Sequence, residues 1–206
     1  MKYPSCLLGT VVLAPVLCAG ASLAAEVSSQ TFSINNVTVG VTTLADVQRI
    51  YGMAETSRAS RNDEADVRVC YAYSSPNGTS SFLVFESGPM GGFKQITGFR
   101  ISTLRSIENC VSTKIDIGTL KTGNGIRLGQ GFVDFKKAIS VEFKRRGSEL
   151  IYEAVSRRAA TQEELKRLRA TWPNEKQDYF DVTTTLRAKF KDNQLIDFHV
   201  QKIESY

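Results

Sequence analysis

The chain has 206 residues, of which 42% are hydrophobic and 23% charged, and its formal net charge is +5. That profile belongs to an ordinary folded protein and excludes disordered, collagen-like and coiled-coil chains. The one long apolar run lies at the extreme N-terminus, so no internal segment is long enough to cross a bilayer.

Residues 1–25 carry Lys2, an apolar core from Leu7 to Leu17 and the small residues Ala19-Gly20-Ala21-Ser22 before Ala24-Ala25. This order predicts a signal peptide cut after Ala24 or Ala25, hence a periplasmic or secreted protein that is not integral to a membrane. The bulky Leu17 argues against a lipid anchor at Cys18, because acylated cysteines follow a small residue. Cleavage leaves Cys70 and Cys110 as the only thiols in an oxidising compartment, where a disulfide between them is expected; the alternative is two free buried cysteines. Two cysteines and one histidine, His199, supply too few ligands for a metal site, so neither metal nor cofactor is expected.

The first folded element is a short helix. Leu44, Val47, Ile50 and Tyr51 fall on one face, Thr43 and Asp46 form a capping box, and Gly52 ends it. The segment Arg58-Ala59-Ser60-Arg61-Asn62-Asp63-Glu64, with Asp66 beyond it, reads as a polar loop. Val67 to Tyr73 alternates apolar and polar positions, Pro76-Asn77-Gly78 turns the chain, and Ser81 to Glu86 returns as a hairpin partner. A third strand is expected from Gln95 to Ser102, after the Gly-rich link Gly88 to Gly92.

A second helix is predicted from Phe132, Phe135, Ala138 and Ile139, continuing to Phe143. Strands follow at Glu149–Ser156, Asp181–Phe190 and Leu195–Ile203, with Asp192-Asn193 as a turn. His199 falls opposite Ile196, Phe198 and Val200 and reads as a surface residue. Between the first two of these strands Thr161 and Glu164 cap an inserted helix, 161–172, whose stripe of Leu165, Leu168 and Trp172 is expected to dock on the sheet before Pro173 stops it.

The order helix, strand, strand, strand thus occurs twice, over 26–120 and 121–206. Aligning Gly40 with Gly129 and Val47 with Phe135 requires one extra residue in the first copy. The expected class is α+β: two tandem helix-plus-antiparallel-sheet repeats whose helices cover one face and leave an open sheet surface.

The segment Gly40-Val41-Thr42-Thr43-Leu44-Ala45-Asp46-Val47-Gln48-Arg49-Ile50-Tyr51-Gly52 resembles the opening motif of the small outer-membrane assembly lipoproteins of the SmpA/OmlA type. The tandem layout is similar to that of the beta-lactamase inhibitory proteins. Val41 replaces the usual Met, and Gln130-Gly131 stands where Met-Thr is expected in the second copy. The resemblance implies repeats that each pack a helix on an antiparallel sheet and bind proteins without catalysis.

Charge is uneven. Residues 26–120 carry 8 basic and 9 acidic side chains, and residues 121–206 carry 17 and 12. Lys136-Lys137, Lys144-Arg145-Arg146, Arg157-Arg158 and Lys166-Arg167 are expected on or beside helices, where Lys144, Arg145, Arg146, Arg157 and Arg158 are the candidate binding residues. The preferred function is a non-catalytic protein that docks an envelope or secreted protein on its sheet, as an assembly factor or inhibitor. The alternative is a binder of an anionic envelope ligand, such as anionic lipid or lipopolysaccharide, through the basic half. Nucleic acid is excluded by the export signal and the missing base-stacking pattern. No nucleophile elbow or phosphate loop is present, and a carboxylate hydrolase using Asp63, Glu64 or Asp66 ranks last.

Overall fold

A computed structural model describes residues 27–61, 64–104, 109–174 and 176–206. The signal segment and Asp63 lie outside them. In chain order the elements are β1 (Ser33–Ile34), β2 (Val37–Thr38), α1 (Leu44–Tyr51), β3 (Ser57–Arg61), β4 (Glu64–Ser74), β5 (Ser80–Ser87), β6 (Gly98–Ser102) and β7 (Val111–Ser112). They continue with α2 (Phe132–Ala138), β8 (Lys144–Arg146), β9 (Glu149–Ala159), α3 (Gln162–Thr171), β10 (Tyr179–Lys191) and β11 (Gln194–Ser205). The chain is a mixed α+β protein with a mostly antiparallel sheet.

That sheet is one continuous layer in the order β3-β4-β5-β6-β11-β10-β9-β8, with β7 parallel to β4. The junction is β6 against β11, Gly98 opposite Gln201 and Ser102 opposite Asp197. Rows of apolar residues cross it without a break. Val69, Phe85, Phe99, Val200, Leu186 and Tyr152 occupy successive strands in register, as do Tyr71, Leu83, Ile101, Phe198, Ala188 and Leu150. Helices α1 and α2 cover this one face. Tyr51 of α1 lies 5.2 Å from the Tyr71 ring and 5.5 Å from Phe85, while Phe135 of α2 stacks edge-on against Phe190 and Phe198. Tyr51, Tyr71, Phe85, Phe135 and Phe198 are members of one buried cluster, with Phe190 partly buried against it, and burial of large side chains there is the main stabilising term.

Helices α1 and α2 enter the sheet through matching contacts. Gly40 (φ +79°) donates its N–H to the Ile96 carbonyl at 2.7 Å, and Gly129 (φ +74°) donates to Leu195 at 2.8 Å. Ile96 and Leu195 return bonds of 2.9 Å to Thr42 and Gln130 respectively. Leu44 then donates to Lys94, and Phe132 to Asn193, at each helix start. Val41, 70% exposed, is the residue by which the first of these turns is longer.

The capping boxes of α1 and α3 form as expected, with Thr43 paired to Asp46 and Thr161 to Glu164. The disulfide joins Cys70 to Cys110 and ties β4 to the segment entering β7. Four expectations need correction. The expected polar loop at 58–64 contains strand β3, paired with the start of β4 from Ser57–Arg68 to Arg61–Glu64; its sequence Ser-Arg-Ala-Ser-Arg has no apolar alternation to reveal a strand. The second helix ends at Ala138, not Phe143, because Ile139 turns extended (φ −117°) and Phe143 packs back on Phe135 and Tyr152. In β11 a register shift between Lys189 and Phe190 places Leu195 opposite Phe190, so Leu195 is fully buried while Ile196 is the unpaired extra residue. Trp172 is 57% exposed and is not the buried anchor of α3; Leu165, 8% exposed, is.

Candidate functional site

Strand alternation turns every second residue of β4–β6 and β9–β11 away from the helices, and on that side no helix covers the sheet among the described residues. A depression of about 550 Å³ lies over its middle, lined by Arg68, Glu86, Arg100, Asp197, His199 and Arg187 and by neighbouring polar residues. The positions follow from register. Arg68 faces Glu86 across β4 and β5, Arg100 faces His199 across β6 and β11, and His199 faces Arg187 across β11 and β10. One row further along, Ser102, Asp197, Lys189, Glu149 and Arg146 stand side by side on successive strands from β6 to β8. The charges alternate along that row, a pattern in which each cross-strand neighbour is attractive.

Arg100 forms a fork with Asp197, at 2.6 Å from Nε and 3.1 Å from Nη2. Glu86 is 5% exposed and accepts from His199 Nε2 at 3.2 Å, with Arg68 Nε at 3.2 Å. Burial of Glu86 works to raise its pKa, but the hydrogen bond and charge of His199, with the charges of Arg68 and Arg100, outweigh it and hold the carboxyl below its ordinary value. Arg187 is less well matched: its contact to Glu153 is 3.8 Å, and its Nε is buried with no hydrogen-bond partner among the described residues. The floor is therefore built of fixed, paired charges with one under-satisfied guanidinium near its centre.

His199 is not the simple surface residue expected from its position. It sits in this floor, one-fifth exposed, and bridges the halves by holding Glu86 of β5. The other floor residues escape a reading based on runs of adjacent charges. Their signal is a charge at each outward position of a strand whose inward positions are apolar: Arg100 between Phe99 and Ile101, Arg187 and Lys189 around Ala188, Asp197 and His199 around Phe198.

The five basic candidates divide. The expectation placed them on or beside helices; Lys144, Arg145 and Arg146 instead form edge strand β8 and Arg157 and Arg158 lie in β9, so none is on a helix, and Arg158 lies beside α3. Lys144, Arg145 and Arg146 are exposed and have no carboxylate within ion-pair distance among the described residues. Arg157 pairs with Asp181 at 3.1 Å. Arg158 is clamped between Glu164 of α3 at 2.8 Å and Glu204 of β11 at 2.5 Å, on the helix-covered side. The hydrogen bonds from Arg158, followed by that from the Thr161 backbone, draw Glu164 down to about 2. Arg158 is thus committed to anchoring α3. Asp66 stands 4.0 Å from Arg68 at the rim of the depression.

Comparison with known proteins gives no similarity to argue from: no family model, no curated protein and no solved structure matches the chain.

Proposed function

We propose that the protein is an exported, non-catalytic binding protein that docks an envelope or secreted protein on the uncovered face of its sheet, as an assembly factor or inhibitor does. The observation that carries this reading is the face itself: a continuous layer shielded on one side by α1 and α2 and open on the other, with charges held in place by cross-strand pairs. Rigid charges of this kind select a partner by complementarity more than they add affinity. The matched contacts of Gly40 and Gly129 support an arrangement of two tandem repeats, 26–120 and 121–206, like that of the beta-lactamase inhibitory proteins. In that arrangement β6, which follows β4 and β5, is equivalent to β11, which follows β9 and β10, and their pairing makes two small surfaces into one.

The test is site-specific photo-crosslinking in envelope extract, with the reactive residue at Thr185 on the open face or at Arg49 on α1. Adducts to a defined protein from position 185 alone support the proposal. No adduct at 185, or the same adducts from both sites, sinks it.

A second reading is favoured by one observation, the exposed cations of β8, which have no carboxylate within ion-pair distance among the described residues. Here Lys144, Arg145 and Arg146 hold an anionic envelope ligand, and Arg157 and Arg158 are spectators. Replacing the three by Ser should then abolish binding to lipopolysaccharide and to vesicles containing anionic lipid, and binding that persists removes the idea.

A further inference from the structure

β9 pairs with β10 along its whole length, Glu149 to Ala159. On its other side β8 covers only Glu149–Ile151. From Tyr152 onward, no strand pairs with that edge among the described residues. The direction of the free groups can be read from one bond. Ala160 donates to the Asp178 carbonyl at 2.8 Å, so even-numbered residues of β9 turn N–H and C=O toward β10. Glu153, Val155 and Arg157 turn theirs outward. The strand has no bulge against β10 and contains no proline, and Val155 is 69% exposed. Long straight edges without such protection are templates for another strand.

The side chains on this edge are self-complementary. When a second copy runs antiparallel with Val155 opposite Val155, Glu153 meets Arg157 of the second copy, and the two-fold axis repeats the pair. Tyr152 meets Arg158 on the other face. Only the outward groups of residues 153, 155 and 157 face each other in this register, which gives about six backbone hydrogen bonds. The neighbouring registers fail: centring on Glu153 or Arg157 sets like charges together, and the intermediate ones set Val155 against a charge. Within their own chain Arg157 and Glu153 touch Asp181 and Arg187, yet their side chains stay 67% and 62% exposed and accessible.

We propose that the protein forms a two-fold dimer by antiparallel pairing of Tyr152–Arg158 in β9 with the same segment of a second copy. The dimer extends the sheet through both molecules and presents the open face twice; it stands independently of what docks there.

The experiment is sedimentation equilibrium on the wild-type protein and three variants. Wild type should be a dimer. Val155→Pro removes an outward N–H while leaving the bonds to β10 intact, so it should be monomeric with unchanged circular dichroism. Arg157→Glu and Glu153→Arg each oppose like charges twice and should raise the dissociation constant roughly tenfold or more. Mixing those two variants in equal amounts should restore the dimer, one copy of each. A wild type that remains monomeric at every concentration, charge variants as dimeric as wild type, or a mixture that stays dissociated would each overturn the proposal. Should Val155→Pro unfold, the charge variants and their mixture decide.

Discussion

Replacing Gly40 and Gly129 singly by Ala tests whether the two helix entries are built alike. At both positions φ is strongly positive, +79° and +74°, and an added Cβ would meet no heavy atom within 4 Å. The cost is therefore conformational and not steric: placing an L-residue in the left-handed region costs about 1–2 kcal/mol. Against this, Ala restricts the unfolded chain and returns about 0.4–1 kcal/mol. The net expectation is a loss of about 1 kcal/mol at each position. With a urea dependence of ~2 kcal/mol per molar, each midpoint should fall by roughly 0.5 M. The bonds to Ile96 and Leu195 remain available, so the slope of the transition should not change. The reasoning is refuted if either variant is as stable as wild type, or if the two losses differ by more than about 1 kcal/mol, since equal geometry must carry equal strain.

Glu86 links the face to pH. Its native pKa is lowered, so its contribution is present above the ordinary glutamate value of about 4.3 and is lost as pH falls through the lowered native value. Glu86→Gln should be less stable than wild type at pH 7, with the gap closing below pH ~4 in urea titrations; a gap independent of pH contradicts the ion-pair account. Gly98→Ala would bring a Cβ to 2.7 Å from the Val200 carbonyl, so β6 and β11 must separate. A loss of about 1–3 kcal/mol is expected by chemical denaturation, and a neutral effect would mean that the junction yields freely. Opening the Cys70–Cys110 bridge, which spans 40 residues, by double substitution to Ser should lower stability by up to about 4 kcal/mol. Unchanged stability would show that the loop is already constrained when unfolded.

Local signals were written plainly in the sequence. Thr43 with Asp46 and Thr161 with Glu164 mark helix starts because each side chain reaches a backbone donor three residues away. The alternation of Val182, Leu186 and Ala188, and of Phe198 and Val200, announces strands and their buried side, since the pleat has a period of two. Those cues act over a few residues and need no partner. By the same token they are silent on β3, whose Ser-Arg-Ala-Ser-Arg segment becomes a strand only through its pairing with β4.

The tertiary structure alone decided which strand lies beside which. That β6 pairs with β11 depends on residues about a hundred positions apart, and no periodicity encodes a partner. From that choice follow the single layer and the meeting of Arg100 with Asp197 and of His199 with Glu86. The exposure of Trp172, whose apolar stripe looked suited to docking, is likewise a tertiary outcome. A charge's role is set by what pairing brings opposite it: Arg158 is spent on α3 and β11, whereas Lys144, Arg145 and Arg146 keep their charges free of carboxylates among the described residues. Composition counts such residues as equals, and only the register of neighbouring strands separates them.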